Sequence, residues 1–108
     1  MVNQGDIIKI NLNPQKGHEQ AGYRPAVVIS NDFFNQHTNL AILCPITNTN
    51  NGFPLHVPLD GRTTTTGVIL CEHIKTCDLN ARGYVFIEKL PDDILSNVFD
   101  IVYSEIEQ

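Results

Sequence analysis

The segment Pro25-Ala26-Val27-Val28-Ile29 is almost wholly apolar and only a few residues long. A run that short and that apolar suits a strand buried on both faces, so neighbours must cover it above and below. The rest of the chain offers such neighbours. Asp6-Ile7-Ile8-Lys9-Ile10-Asn11-Leu12 alternates with period 2, the pattern of a strand with one buried face. Leu40-Ala41-Ile42-Leu43-Cys44 predicts another strand, ending at Pro45-Ile46-Thr47-Asn48. Pro54 to Leu59 predicts a short edge strand, because its prolines cannot donate to a ladder. Gly67 to Cys71 predicts a buried strand that Glu72 to Thr76 continues, and Tyr84 to Ile87 a last one.

Between them lie turn-forming stretches: the polar loop from Asn13 to about Tyr23, Ser30-Asn31-Asp32, and Thr47 to Gly52. Phe33 to Gln36 suggests one helical turn. After Pro91 the periodicity changes. Pro91-Asp92-Asp93 is a helix start, with carboxylates in the positive first turn. Ile94, Val98, Ile101 and Val102 then form one stripe, widened by Leu95 and Phe99. The expectation is a mainly β fold, a small antiparallel barrel closed by a C-terminal amphipathic helix. With 108 residues and no repeat or linker, residues 1–108 make a single domain.

The formal charge of −5 argues against a nucleic-acid binder only until it is located. Residues 88–108 hold Glu88, Asp92, Asp93, Asp100, Glu105 and Glu107 against Lys89 alone, and residues 1–87 balance to zero. The acidity belongs to the terminal helix, which leaves room for a basic patch elsewhere. No apolar run reaches the roughly 18 residues that a membrane helix needs. The N-terminus lacks the basic and apolar regions of a signal peptide, so a cytoplasmic protein is expected. Cys44, Cys71 and Cys77 form no paired short spacing. Adjacent Cys71, Glu72 and His73 on a strand would point to alternating faces, so no metal site is expected.

Polar residues meet strand ends at the 13–24 loop, at Pro45 to Asn48, and at Glu72-His73-Ile74-Lys75. Arg24 precedes Pro25, which holds the preceding residue in extended backbone and so aims its side chain. A guanidinium so placed can grip a phosphate with two hydrogen bonds. Taken singly, Glu19 reads as a solvated loop carboxylate and Thr47 as a turn former. No Walker, GxSxG or dinucleotide fingerprint is present. Residue chemistry by itself reaches only an anion site near Arg24.

Several segments taken together resemble the MazF/PemK family of toxin–antitoxin ribonucleases. They are Gly5-Asp6-Ile7, Asn13-Pro14, the run from Gly17 to Val28 (G-x-E-Q-x-G-x-R-P within it), Pro45-Ile46-Thr47, Gly67 to Leu70, Glu72 to Lys75, and Asp78 to Arg82. The similarity runs from about residue 5 to the C-terminal helix.

The resemblance implies an SH3-like or CcdB-like barrel, homodimeric, that cuts single-stranded RNA at short motifs without metal or other cofactor. It implies a cognate antitoxin that occupies the RNA groove, and a toxin–antitoxin complex able to bind its promoter DNA. Carried over by position, Arg24 and Thr47 are the catalytic pair and Glu19 a site acid, either base or orienter of Arg24. Lys16, His18, Gln20, His73 and Lys75 would contact RNA. His18 and His73 stand where the family often has serine and glutamine, leaving open proton transfer or plain nucleotide contact. A gyrase-binding toxin of the CcdB type without catalysis, or a barrel that only co-represses transcription, are the alternatives.

Overall fold

The computed structural model describes residues 1–13, 22–49 and 52–107. Among these residues, seven strands form one antiparallel sheet: β1 (Asp6–Asn11), β2 (Tyr23–Val28), β3 (Leu40–Thr47), β4 (His56–Pro58), β5 (Val68–Leu70), β6 (Lys75–Asp78) and β7 (Val85–Lys89). Three helices, α1 (Asp32–Thr38), α2 (Leu79–Arg82) and α3 (Asp92–Ile106), complete the fold. The strand path is β4-β5-β3-β2-β1-β7, with β6 paired to β3 off that path. The expected mainly β architecture with a terminal helix is what is found. The path runs from β4 at one end to β7 at the other rather than closing on itself.

The apolar central strand is explained by its surroundings. β2 lies between β1 and β3, and alternate residues of the three strands feed two different cores. Ile7, Val27, Cys44 and Ile46 face one core, where Ile94 and Val98 of α3 cover them. Ile8, Ile10, Ala26, Val28, Ala41 and Leu43 face the other, with Cys77 and Leu79. The helical stripe is the one the spacing predicts, and Leu95, Phe99, Ile101 and Val102 pack against the first core.

Three local expectations change. β3 does not stop at Pro45 but runs through it to Thr47. On one edge β3 pairs with β6 at residues 40–43 and then with β5 at 46–47, so Pro45 falls in the handover where neither strand pairs with it. Glu72 to Thr76 does not continue β5. The chain turns after Leu70, with His73 N–H donating to Leu70 O at 3.1 Å, and restarts as β6. The single turn expected at Phe33 to Gln36 is α1, seven residues long, with Asn31 Oδ1 accepting from Phe34 N–H at 2.8 Å as its cap.

Candidate active site

β2 and β3 pair through Ala26–Pro45, Val27–Cys44 and Val28–Leu43. The ladder ends at Ala26–Pro45, and Arg24 on β2 and Thr47 on β3 each lie two residues beyond that last pair, on neighbouring strands at the same end of the sheet. Arg24 shares its face with Ala26 and Val28, and Thr47 shares its face with Ala41 and Leu43. Both therefore belong to the face of the second core, at the sheet end where that core stops. On its other side Arg24 pairs with Ile10, and Pro25 with Lys9. Tyr23 alternates to the opposite face, where Lys9 Nζ lies 5.2 Å from its ring centroid. Arg24 and Thr47 are half-buried.

Thr47 is fixed by side-chain bonds and by a close backbone neighbour. Its Oγ1 accepts from Thr49 N–H at 3.2 Å, and Asn48 Oδ1 accepts from Thr66 Oγ1 at 2.9 Å. Gly67 (φ +115°) passes so close that a Cβ there would stand 2.2 Å from Thr47 O. Only glycine fits both that conformation and that approach.

Lys75, at the start of β6, is half-buried, and its Nζ donates to Leu12 O at 3.1 Å. An ammonium has three donors, so others remain for a second acceptor. His73 sits in the turn between β5 and β6, its Nε2 3.8 Å from Glu72 Oε2. The structure thus places Arg24 and Thr47 on neighbouring strands at one end of the sheet and groups His73 with Glu72. Lys16, His18, Glu19 and Gln20 lie outside the described residues.

Two features escaped the sequence reading. His56 Nε2 lies 2.8 Å from Glu72 Oε2 in a pair whose other atoms, His56 Nδ1 and Glu72 Oε1, are buried without a hydrogen-bond partner among the described residues. The His56 side chain is only 7 % exposed. Nothing in an alternating strand signals a partner in the turn after its neighbour. The second feature is Arg82, whose Nη1 donates to Asn11 O at 2.8 Å and also to Asn13 O. Its only signal was its place in the Asp78 to Arg82 run.

The cysteines have a structural role. Burial, with Glu105 and Glu72 adding to it, pushes the Cys71 thiol up to about 12, and burial pushes Cys44 in the same direction. Protonated, buried thiols are poor nucleophiles. Among the described residues no group of three His, Cys, Asp or Glu side chains converges as a metal site, and no helix is long and apolar enough to cross a membrane. A guanidinium and a hydroxyl presented from neighbouring strands at one sheet end are groups that can bind and polarise an anionic oxygen.

Residues 3–103 match the family model described as PemK-like, MazF-like toxin of type II toxin-antitoxin system. Endoribonuclease PemK of Escherichia coli is 37% identical over 103 residues, spanning 90% of this chain and 76% of that protein. The crystal structure of MazF (Form-I) from Deinococcus radiodurans superposes with a TM-score of 0.93 at 33% identity, covering 99% of this chain and 97% of that one. That of MazE-MazF (Form-II) from the same organism gives 0.85 at 33% identity, covering 97% and 95%. The chain therefore belongs to the PemK-like, MazF-like family of toxins of type II toxin–antitoxin systems.

Proposed function

We propose that this chain is a toxin endoribonuclease that cuts single-stranded RNA by intramolecular transesterification, with Arg24 and Thr47 acting on the scissile phosphate. The observation that supports this most is that those two residues, far apart in sequence, each lie two residues beyond the last β2–β3 pair, Ala26–Pro45, at one end of the sheet. In the step itself the ribose 2′-oxygen loses its proton and attacks phosphorus. The P–O5′ bond then breaks, and O5′ takes up a proton, leaving a 2′,3′-cyclic phosphate.

Arg24 neutralises the charge that gathers on the non-bridging oxygens, and Thr47 donates to one of them. A guanidinium stays charged at neutral pH, so proton transfer falls to another group. Glu19 takes the 2′-proton or orients Arg24. His18 and His73 contact the RNA or exchange the second proton, and a pH–rate profile of His18→Ala separates the two roles. Lys16, Gln20 and Lys75 bind phosphates and bases of a splayed strand. The chemistry is complete with these groups and calls for no metal.

The working form is a cytoplasmic homodimer restrained by a cognate antitoxin, as the MazE-MazF complex from Deinococcus radiodurans suggests by its likeness. Together with that antitoxin it binds promoter DNA. End-mapping of fragments from a long unstructured RNA tests the reading. Cuts at a short recurring motif are expected from wild type and none from Thr47→Ala. Intact RNA together with binding to DNA gyrase would instead mean a non-catalytic toxin.

A further inference from the structure

Three consecutive backbone carbonyls, those of Asn11, Leu12 and Asn13, accept hydrogen bonds from two cations remote in sequence. Arg82 bridges the first and third, and Lys75 takes the second. These bonds join residues 63 to 71 positions apart. The carbonyls begin at Asn11, which forms the last pair of the β1–β2 ladder with Tyr23, and continue through the two residues beyond it. Charge-assisted bonds of this kind are roughly twice as strong as neutral ones.

The segment they grip is tied in turn to the start of β2. Leu12 N–H donates to Gly22 O at 2.9 Å, and Gly22 N–H donates to Asn13 Oδ1 at 3.0 Å. Gly22 is two residues from Arg24, and Arg24 pairs with Ile10 of the same gripped strand. A continuous chain of bonds therefore leads from Arg82 to the backbone that carries Arg24.

The mount of Arg82 is itself well defined. It closes α2, a single turn anchored by buried Leu79, started by Asp78 accepting from Ala81 N–H, and stopped by Gly83 (φ +71°). Arg82 and Lys75 also flank Cys77, and both pull its thiol down against the larger upward push of burial. Two different elements, β6 and α2, thus present cations to one strand end.

We infer that Arg82, with Lys75 beside it, is a positioning residue for RNA cleavage, acting through the Asn11–Asn13 carbonyls and Gly22 to hold Arg24 in its place at the sheet end it shares with Thr47. The inference rests on the endoribonuclease reading above.

The test is steady-state cleavage of a defined single-stranded RNA by the full chain, well below its melting temperature and normalised to folded protein. The comparison set is wild type, Arg82→Ala, Arg82→Lys and Asn13→Ala. For Arg82→Ala, kcat falls roughly ten- to a hundredfold, as about 1 Å of misplacement does, while KM moves less than about threefold. Arg82→Lys, whose single ammonium cannot span both carbonyls as the planar fork does, recovers part of the loss. Asn13→Ala, which cuts the tie to Gly22, loses kcat in the same sense but less.

Should Arg82→Ala fail to fold, kcat losses in both Arg82→Lys and Asn13→Ala support the inference, and unchanged kcat in both overturns it. A raised KM at unchanged kcat for Arg82→Ala overturns it too, since Arg82 would then contact RNA directly. Wild type that leaves RNA intact overturns the nuclease reading and the positioning role with it. A cutting wild type matched by Arg82→Ala overturns the positioning role alone.

Discussion

The two faces of the β1-β2-β3 unit are built from the same kind of residue but end differently. The face that carries Ile7, Val27 and Ile46 is covered by α3, whose Ile94 and Val98 are almost fully buried. The face that carries Ile10, Ala26 and Leu43 runs out at one sheet end into Arg24 and Thr47, with Lys75 on the neighbouring β6. One face is closed by apolar packing and the other opens onto polar groups held by backbone bonds. The difference teaches that stability and chemistry are separable here, because each face can be damaged with little direct effect on the other.

The largest expected effect lies on the open face. Arg24→Ala or Thr47→Ala lowers kcat by about a hundredfold or more, the scale of removing one charge-stabilising donor, with the melting temperature nearly unchanged. The mirror experiment is Ile94→Ala, which deletes a buried side chain of the closed face and destabilises by about 2–5 kcal/mol. Activity per folded molecule stays at the wild-type level. Denaturant unfolding and RNA cleavage on the same samples read both. A variant of either face that moved both quantities equally would break the comparison.

Next in size is Gly67→Ala. Its Cβ cannot coexist with Thr47 O, so β5 or Thr47 must move. This variant damages both faces together, since β5 also supplies Ile69 to the closed core. Cleavage falls and the melting temperature drops in the same protein.

Smaller effects come from carboxylates that support the closed face from outside. Burial works against ionisation of Glu88, but bonds from Thr65 and Thr64 outweigh it and hold its carboxyl low. A lowered folded pKa gives stability that is present above the unfolded value and lost as pH falls through the folded one. Thr65→Val therefore flattens the acid limb of a melting-temperature profile. Glu105 has the opposite sign: burial, then Glu72, raises it from its ordinary value near 4.5. Its contribution is full below that value and lost as pH rises, so Glu105→Gln raises stability slightly at neutral pH. A profile in which both variants shift the same limb in the same direction would contradict these assignments.

The strands and the terminal helix were legible because each has one clear period, 2 in β1 and 3.6 in α3. The partner switch that carries β3 through Pro45 was not, because pairing with β6 and β5 is a long-range choice that a local proline outweighs on paper. The break at Glu72 was hidden by the continuous polar–apolar pattern across it. For the site, Arg24 and Thr47 could be named from the resemblance, and only the pairing of β2 with β3 put them at one end of the sheet. The roles of Arg82 and of the His56–Glu72 pair were hidden for the same reason: each is defined by a partner on another element.

The central claim is that Arg24 assists attack by the RNA's own 2′-oxygen. It is tested most directly with a labelled single-stranded RNA, incubated in a metal chelator and compared with the same RNA carrying one 2′-deoxyribose at the mapped cut. The account predicts that wild type cuts the all-ribose strand to a 2′,3′-cyclic phosphate end and leaves the deoxy position intact, while Arg24→Ala leaves both uncut. Cleavage at the deoxy position, or full-rate cleavage by Arg24→Ala, would contradict it.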